Sequence, residues 1–584
     1  MNLKWKLTQK PSDQTITKLS KELGVKLPFP ESLANILVQR GIQSYDEAKS
    51  FFVPNRECLH DPLLMRDLAF AVKRLLHARE SGEKILLIGD YDVDGTTAVA
   101  LCALCLGSWG FRIDYYIPDR YREGYGVSFE AVDYAEQINA SLLISLDCGI
   151  KAHDKVEYAT EKDMEFIICD HHTPGERLPN AYAILDPKRR DCHYPFKELS
   201  GCGVAWKLME ALYRELTQKK WIDPQTCSHP FDEYCDLITL SIASDIVPIT
   251  GENRIIAYHG LKKIRNSPLP GIKAIMALDE RQRSWDISDL VFFIGPRVNA
   301  AGRIRHASHA VDVLLGDTSI LSELAHSLQL ANEERQDIDR NMTAEALEKI
   351  SQDAFFSHRH TTVLYDPKWH KGVVGIVASR LIEYHYRPTI LLAESDGKLV
   401  GSARSVEGFN LYEALSDCED CLLRFGGHRY AAGLTMERNR LEEFQRKFDR
   451  AVSRRILPEQ KVPTLYIDHI ISFSEIDERF IRLIYRMAPF GPGNPTPVFA
   501  SQKVSVIYHE ILKDQHLKVV LEQNGYKYEA IGFNMLDKLE LINGGYVDVA
   551  FQAGFNIWKD QKRINLILKD IKSHGNHFSQ PTLS

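Results

Sequence analysis

Ile85-Leu86-Leu87-Ile88-Gly89-Asp90-Tyr91-Asp92-Val93-Asp94-Gly95-Thr96-Thr97 joins an apolar strand to a helix through three aspartates. Four consecutive apolar residues make a short strand, three aspartates follow at alternate positions, and Gly-Thr-Thr opens an apolar helix expected over 96–109. The alternation continues with a strand at 112–117, a helix at 128–138, a strand at 142–146, a helix at 152–162 and a strand at 166–169. Strands separated by helices of this length predict right-handed βαβ units and a mostly parallel sheet. Two further helices are expected at 204–216 and 234–244.

The placement of carboxylates on this pattern carries the chemistry. Asp90, Asp92 and Asp94 follow the first strand, Asp147 ends the 142–146 strand, and Asp170, His171 and His172 end the 166–169 strand. In a parallel sheet the carboxyl ends of the strands share one edge, so these groups converge on one crevice. Asp245 closes the 234–244 helix. Repelling carboxylates at one rim are costly unless a cation compensates them. Oxygen ligands with one or two imidazoles suit Mn²⁺ or Mg²⁺, histidine tilting the choice toward Mn²⁺. Five or six such ligands are more than one ion needs once water fills its remaining positions. Two ions ~3.5–4 Å apart, bridged by a shared carboxylate, suit phosphodiester hydrolysis. Singly, each residue has a blander reading: Asp90 as a turn former or helix cap, Asp170 as a brace, the two histidines as loop residues. Their convergence is what points to a metal centre.

At 584 residues the chain is expected to form two to four domains. Residues 320–350 read as one long polar helix bridging two of them, residues 361–454 return to βα character, and residues 465–571 change to β-rich alternation. Strands at 504–511, 517–521 and 564–571, separated by Gly- and Asn-rich turns, predict a small barrel or sandwich, with a loose tail after Ser573.

Hydrophobic content of 44% and charged content of 26% are those of an ordinary globular protein. No secretory signal is expected, and the least polar stretch, 98–109, is roughly half the ~20 residues of a membrane helix. A cytoplasmic protein that binds no membrane is the expectation. Eleven scattered cysteines suit reduced thiols, and the lone Cys418/Cys421 pair lacks the second pair of a zinc finger. The formal charge, 72 − 79 = −7, argues by itself against a nucleic-acid binder. Local basic clefts and bound cations reconcile an acidic exterior with a phosphate substrate.

The second half carries Gly-rich turns. Trp369-His370-Lys371-Gly372-Val373-Val374-Gly375 runs into a helix that bears Arg380, and Gly401-Ser402-Ala403-Arg404-Ser405 and Arg424-Phe425-Gly426-Gly427-His428 follow. Two readings remain open: backbone N–H groups and Arg404 and His428 holding phosphate, or tight turns packing strands on helices.

Taken in order, residues 89–95, Asp147-Cys148-Gly149, Asp170-His171-His172 and Ser244-Asp245 resemble the four motifs of the DHH phosphoesterase superfamily. The likeness implies that Asp92, Asp94, Asp147, His171 and Asp245 are metal ligands and that His172 joins them in catalysis, as ligand or phosphate contact. Ile88 stands where some DHH phosphatases and pyrophosphatases carry another histidine, a departure that weakens a pyrophosphatase reading. Gly295-Pro296-Arg297-Val298-Asn299-Ala300-Ala301-Gly302-Arg303 and Met487-Ala488-Pro489-Phe490-Gly491-Pro492-Gly493-Asn494-Pro495 are similar to segments of the RecJ family within that superfamily, the second inside its OB-type barrel. The likeness covers roughly residues 80–570 without a missing module.

From it follows an expected α/β architecture. A helical extension occupies 1–75, a parallel-sheet DHH domain 76–315 and a linking helix 316–352. A smaller α/β DHH-associated domain follows at 353–455, an OB-type β-barrel at 456–573 and a loose tail at 574–584. Arg297, Asn299 and Arg303 would grip strand backbone. Arg380, Ser402, Arg404, Gly426, Gly427 and His428 would contact substrate, with the crevice between the metal domain and the Gly-Gly-His domain. The resemblance implies a monomeric single-stranded-DNA exonuclease with 5′→3′ polarity and mononucleotide products, acting in repair and recombination, with two Mn²⁺ or Mg²⁺ ions. A single-strand-binding protein and a helicase are the partners it suggests. Two alternatives stand beside it. One is a DHH phosphoesterase acting on oligoribonucleotides or small phosphates, which has little use for an added strand-binding module. The other is a non-catalytic replication scaffold, which would be expected to have lost ligand residues.

Overall fold

The computed structural model describes residues 3–25, 27–281, 283–316, 319–543, 545–558 and 561–575. The chain divides into two compact units, each built from separated segments. One comprises Lys49–Arg335 with Ala488–Pro495, the other Met1–Ala48, Gln336–Met487 and Thr496–Ser584. The division falls within a single helix of 32 residues, Leu321–Gln352.

The first unit is organised by a five-stranded sheet in the order Arg112–Tyr116, Lys84–Gly89, Ala140–Leu146, Glu165–Cys169, Ala183–Leu185. Every pairing is parallel. Both faces are covered. Ile85, Leu87 and Ile144 pack with the helices Val93–Ser108, Gly201–Gln218 and Pro230–Ser244. Leu86, Ile88 and Leu143 pack on the other face against Phe129–Gln137 and His153–Glu161. That two-sided burial is why the first strand reads as an unbroken apolar run and not as an alternating one. Its helix begins at Val93, three residues earlier than the pattern suggests, because Asp92 caps it and draws Asp94 and Gly95 into the first turn. The short Ala183–Leu185 strand left no signal, since three residues are too few for a period.

In the second unit a five-stranded sheet runs in the order Arg424–Gly427, Ala431–Met436, Lys398–Arg404, Thr389–Ser395, Thr362–Tyr365. Val363, Ile390, Leu392 and Leu434 pack with Phe444 and Phe448 of the helix Leu441–Arg455. A second sheet holds His469–Ile470, Phe499–Leu512, His516–Gln523, Tyr526–Gly532, Gln561–Ser573 and Tyr546–Trp558 in that order, and the Phe499 strand also pairs with the Tyr546 strand. That extra pairing closes the sheet into a barrel of the OB type. The barrel, not the sandwich, is therefore formed. Near the amino terminus Lys4–Leu7 pairs in parallel with Thr464–Ile467, and the buried Trp5 indole donates to Asp570 at 2.8 Å. Of the segment 487–495, expected inside the barrel, Ala488–Pro495 packs with the metal-bearing unit. From residue 576 on, the expected loose tail lies outside the described residues. Among the described residues no helix is long and apolar enough to cross a membrane. Cys418 and Cys421 are buried free thiols.

Candidate metal centre

All three motif-bearing strands end at one sheet edge, and the aspartates and histidines gather there. Asp94 is buried and accepts three hydrogen bonds. Its Oδ2 accepts the Gly201 N–H at 2.7 Å, and its Oδ1 accepts the Cys202 N–H at 2.8 Å and the Ser241 hydroxyl at 2.7 Å. Asp147 sits in the left-handed region (φ 62°), an uncommon conformation for a residue with a side chain. Its neighbour Gly149 (φ 110°) continues the sharp exit from the strand.

His171 is the hub. Its Nε2 lies 3.2 Å from Asp147 Oδ1, 3.5 Å from Asp245 Oδ2 and 3.8 Å from Asp94 Oδ2. Two groups overlap on it, Asp147/His171/His172 and Asp94/His171/Asp245, each with ligand atoms within 4.8 Å of one another. Asp147 Oδ1 and both ring nitrogens of His171 are buried and make no hydrogen bond. Buried polar atoms are ordinarily satisfied, so Asp147 Oδ1 and His171 Nε2, 3.2 Å apart and neither hydrogen-bonded, mark a place for a ligand that both would bind. Oxygen and imidazole donors fit a Mn²⁺ or Mg²⁺ ion.

Electrostatics agree. Burial, then the charges of Asp94 and Asp92, push the Asp147 carboxyl far above the usual carboxylate range. Burial and the same two neighbours bring Asp245 to about 8. Burial also lowers the His171 imidazole. Asp170 behaves oppositely. Burial alone would raise it, but His172 and the backbone hold it at about 2. It accepts the N–H groups of His171, His172 and Ile150, and His172 Nδ1 at 2.8 Å. Burial would lower His172, yet the bond to Asp170 raises it to about 9. Asp170 is a brace, and His172 is the group it aims.

Asp92 uses Oδ1 to cap the helix through the Asp94 and Gly95 N–H groups and stands outside both three-residue groups, although its charge acts on Asp147 and Asp245. Asp90 is buried and accepts the Gly126 N–H at 3.3 Å. Arg297 is also buried. Its guanidinium lies 3.5 Å over the Phe293 ring and donates to the Phe293 carbonyl and Gln329, and burial lowers its pKa to about 10. Asn299 and Arg303, on the same helix Gly295–Ile304, are half-buried. That helix lies against the first motif, for a Cβ on Gly302 would stand 2.9 Å from the Tyr91 carbonyl.

In the other unit Arg380 donates to Asp339 at 2.7 Å, and Arg404 donates to Ser402 at 2.7 Å. A Cβ on Gly375 would come within 2.9 Å of both Arg404 and Ser402, so the glycine lets the helix start approach them. Gly426, Gly427 and His428 form an exposed hairpin with Ala431–Met436 at the sheet edge.

Sequence reasoning missed two participants. The Tyr125 hydroxyl donates to the Asp147 carbonyl at 3.0 Å, and its ring meets His172 edge-on at 5.7 Å. Gly124 and Gly126 on either side both have positive φ, so the Gly-Tyr-Gly step was the available signal. Gly201 was the other. A Cβ there would fall 2.5 Å from Asp147 Cβ and Oδ1, and nothing in the sequence places the two side by side.

The comparisons with known proteins follow the same order along the chain. The DHH family N-terminal domain matches residues 84–241, the DHHA1 domain 359–454 and the RecJ OB domain 467–570. Single-stranded-DNA-specific exonuclease RecJ of Bacillus subtilis (strain 168) is 34% identical over 575 residues, covering 97% of this chain and 70% of that protein. The chain belongs to the RecJ family. Among solved structures, RecJ from Thermus thermophilus in complex with Mn²⁺ matches with a TM-score of 0.83 and 26% identity, covering 98% of this chain and 80% of that one. The same RecJ in complex with Mg²⁺ matches with a TM-score of 0.78 and 25% identity, covering 98% and 79%. The parallel-sheet DHH domain, the DHH-associated domain and the OB-type barrel are thus the modules of a RecJ-family chain.

Proposed function

We propose that this RecJ-family chain is a metal-dependent exonuclease that hydrolyses phosphodiester bonds of single-stranded DNA. The observation that carries the proposal is the pair of buried atoms without hydrogen bonds, Asp147 Oδ1 and His171 Nε2, 3.2 Å apart, with His171 shared by both ligand groups. Asp94, Asp147, His171 and Asp245, with Asp92 and His172 beside them, would hold two Mn²⁺ or Mg²⁺ ions, which supply an activated water and offset the negative charge developing on the phosphate and leaving oxygen.

The chain's own contribution is preorganisation. Asp94 is fixed by three donors, so its oxygens need no reorientation on binding. His172, oriented by its hydrogen bond to Asp170, is the side chain we assign to a non-bridging phosphate oxygen. For strand contacts we assign Asn299 and Arg303 in the metal-bearing unit, with Arg297 bracing their helix from within. Arg380, Ser402, Arg404, Gly426, Gly427 and His428 are the corresponding set in the other unit, and the barrel supports the strand by stacking and backbone charge. The segments 1–75, 76–315, 316–352, 353–455, 456–573 and 574–584 are the division of labour this reading uses. Polarity of 5′→3′, mononucleotide products, a cytoplasmic site of action in repair and recombination, a monomeric state, and association with a single-strand-binding protein and a helicase belong to the same proposal.

A timed digestion of 5′- and 3′-end-labelled DNA and RNA strands, with Mn²⁺ or with EDTA, tests it. Expected is chelator-sensitive release of mononucleotides from the 5′ end of DNA. Cleavage confined to dinucleotides, or equal rates in EDTA, refutes it.

A further inference from the structure

The loop Ala488–Pro495 lies in sequence between a helix and a strand of the barrel-bearing unit, yet it packs with the metal-bearing one. What it touches there is the turn that carries Asp245 out of its helix. Asp245 caps Pro230–Ser244, and residues 246–250 then lead into the helix Gly251–Asn266. Ile246 is in the left-handed region (φ 59°) and exposed, so this backbone is not held by the packing of its first residue. Val247 and Ile249 anchor it in the core of its own unit, and the loop closes over it from outside. The fully buried Ile249 donates its N–H to the Pro492 carbonyl at 2.7 Å. A Cβ on Gly491 would stand 2.6 Å from Ile249 Cγ1, and one on Gly493 would stand 2.9 Å from Thr250 Cγ2. Two glycines therefore let the loop lie directly on the turn.

The loop is itself rigid. Gly491 and Asn494 exchange backbone hydrogen bonds at 3.0 Å, and the buried Asn494 amide donates to the Pro489 carbonyl at 2.8 Å. Buried Arg254, one turn beyond Thr250, donates to the Ala488 and Pro489 carbonyls at 3.1 and 3.2 Å and also to the Phe51 carbonyl. Asn253 joins the Pro248 carbonyl of the turn to the Glu198 carbonyl, two residues before the Ser200 cap of the helix whose Gly201 abuts Asp147.

We infer that the Ala488–Pro495 loop is a positioning element of the metal pocket: by seating residues 246–250 it sets where the Asp245 carboxylate stands beside His171. Gly491, Asn494 and Arg254 are positioning residues on this account. The inference rests on the metal reading above and adds that a loop outside the DHH segment governs cation affinity.

The test is Mn²⁺ binding to the full chain, read from loss of the free-ion electron paramagnetic resonance signal, in the wild type, Gly491→Ala, Asn494→Ala and Gly491→Ala/Ile249→Ala. Partners that bond a metal ligand directly are typically worth about 10- to 100-fold in affinity, and Gly491 and Asn494 act one step further out, so weakening by about threefold to tenfold is expected for each single variant. Trimming Ile249 makes room for the new methyl, and the double variant is expected to regain most of the loss. Thermal unfolding in EDTA identifies folded variants, and strand KM is expected to stay within about twofold while the Mn²⁺ requirement rises. Wild-type Mn²⁺ affinity in either folded single variant overturns the inference. So does a weakening that Ile249→Ala does not relieve. Should the wild type bind no Mn²⁺, the metal reading itself fails, a separate outcome.

Discussion

Gly201→Ala isolates the geometry of the centre without removing a single ligand. The added methyl would stand 2.5 Å from both Cβ and Oδ1 of Asp147 and 2.8 Å from its Cα. Ordinary contact begins near 3.4 Å, so the carboxylate or the helix start must retreat by about 0.9 Å. The Asp147 backbone has little freedom to give, since its N–H is bound to the Cys169 carbonyl at 2.9 Å and its φ is already unusual. The helix start is equally tied, because the Gly201 N–H donates to Asp94. A misplacement of ~1 Å at reacting groups costs on the order of 100-fold in rate, whereas overpacking by one methyl costs about 1–3 kcal/mol of stability. Expected, then, is a folded variant with kcat on labelled single-stranded DNA lowered about 100-fold at saturating Mn²⁺. Circular dichroism melting in EDTA reports the fold. Wild-type kcat from a variant that melts like the wild type would refute the claim that Asp147 needs its present position.

Three further outcomes are expected. Asp245 has its pKa raised to about 8, so in the metal-free protein its contribution to stability is fully present below the unfolded value, ~4, and is lost as pH rises toward 8. Stabilisation by Mn²⁺ in thermal melts should therefore be larger at pH 8 than at pH 6, and a constant increment contradicts the assignment. Tyr125→Phe deletes the hydrogen bond to the Asp147 carbonyl, worth about 0.5–1.5 kcal/mol, so steady-state kinetics should show kcat lowered roughly 2- to 13-fold, and an unchanged kcat removes Tyr125 from the centre. Asp170→Asn withdraws the charge that raises His172, so the imidazole titration followed by nuclear magnetic resonance in metal-free protein should fall from about 9, and persistence there would show that Asp170 is not its cause.

Much of the metal-bearing unit was legible because its physics is local. The 85–88 run, the aspartates after it and the strand ends at Asp147 and Asp170 are set by sequence spacing and sheet geometry alone, and the structure places them at one edge. His171 and Asp245 meet as the motifs imply. The individual assignments within the cluster were less legible. Whether an aspartate caps, braces or binds depends on which N–H groups arrive from elsewhere, as Gly201 and Cys202 do for Asp94 and Ile150 does for Asp170. Arg297 shows the same limit, since an arginine in a Gly-rich motif reads as a phosphate contact until its partners Phe293 and Gln329 are known. The 488–495 loop was read with the barrel because it is contiguous with it, and only the long-range bond from Ile249 to Pro492 shows where it packs.

Anomalous diffraction at the manganese edge, from crystals of the full chain soaked in Mn²⁺, would locate the ion itself. Density is expected for an ion bound by Asp147 Oδ1 and a ring nitrogen of His171, with Asp94 or Asp245 completing the contacts. Crystals with manganese elsewhere but none at those atoms would contradict it.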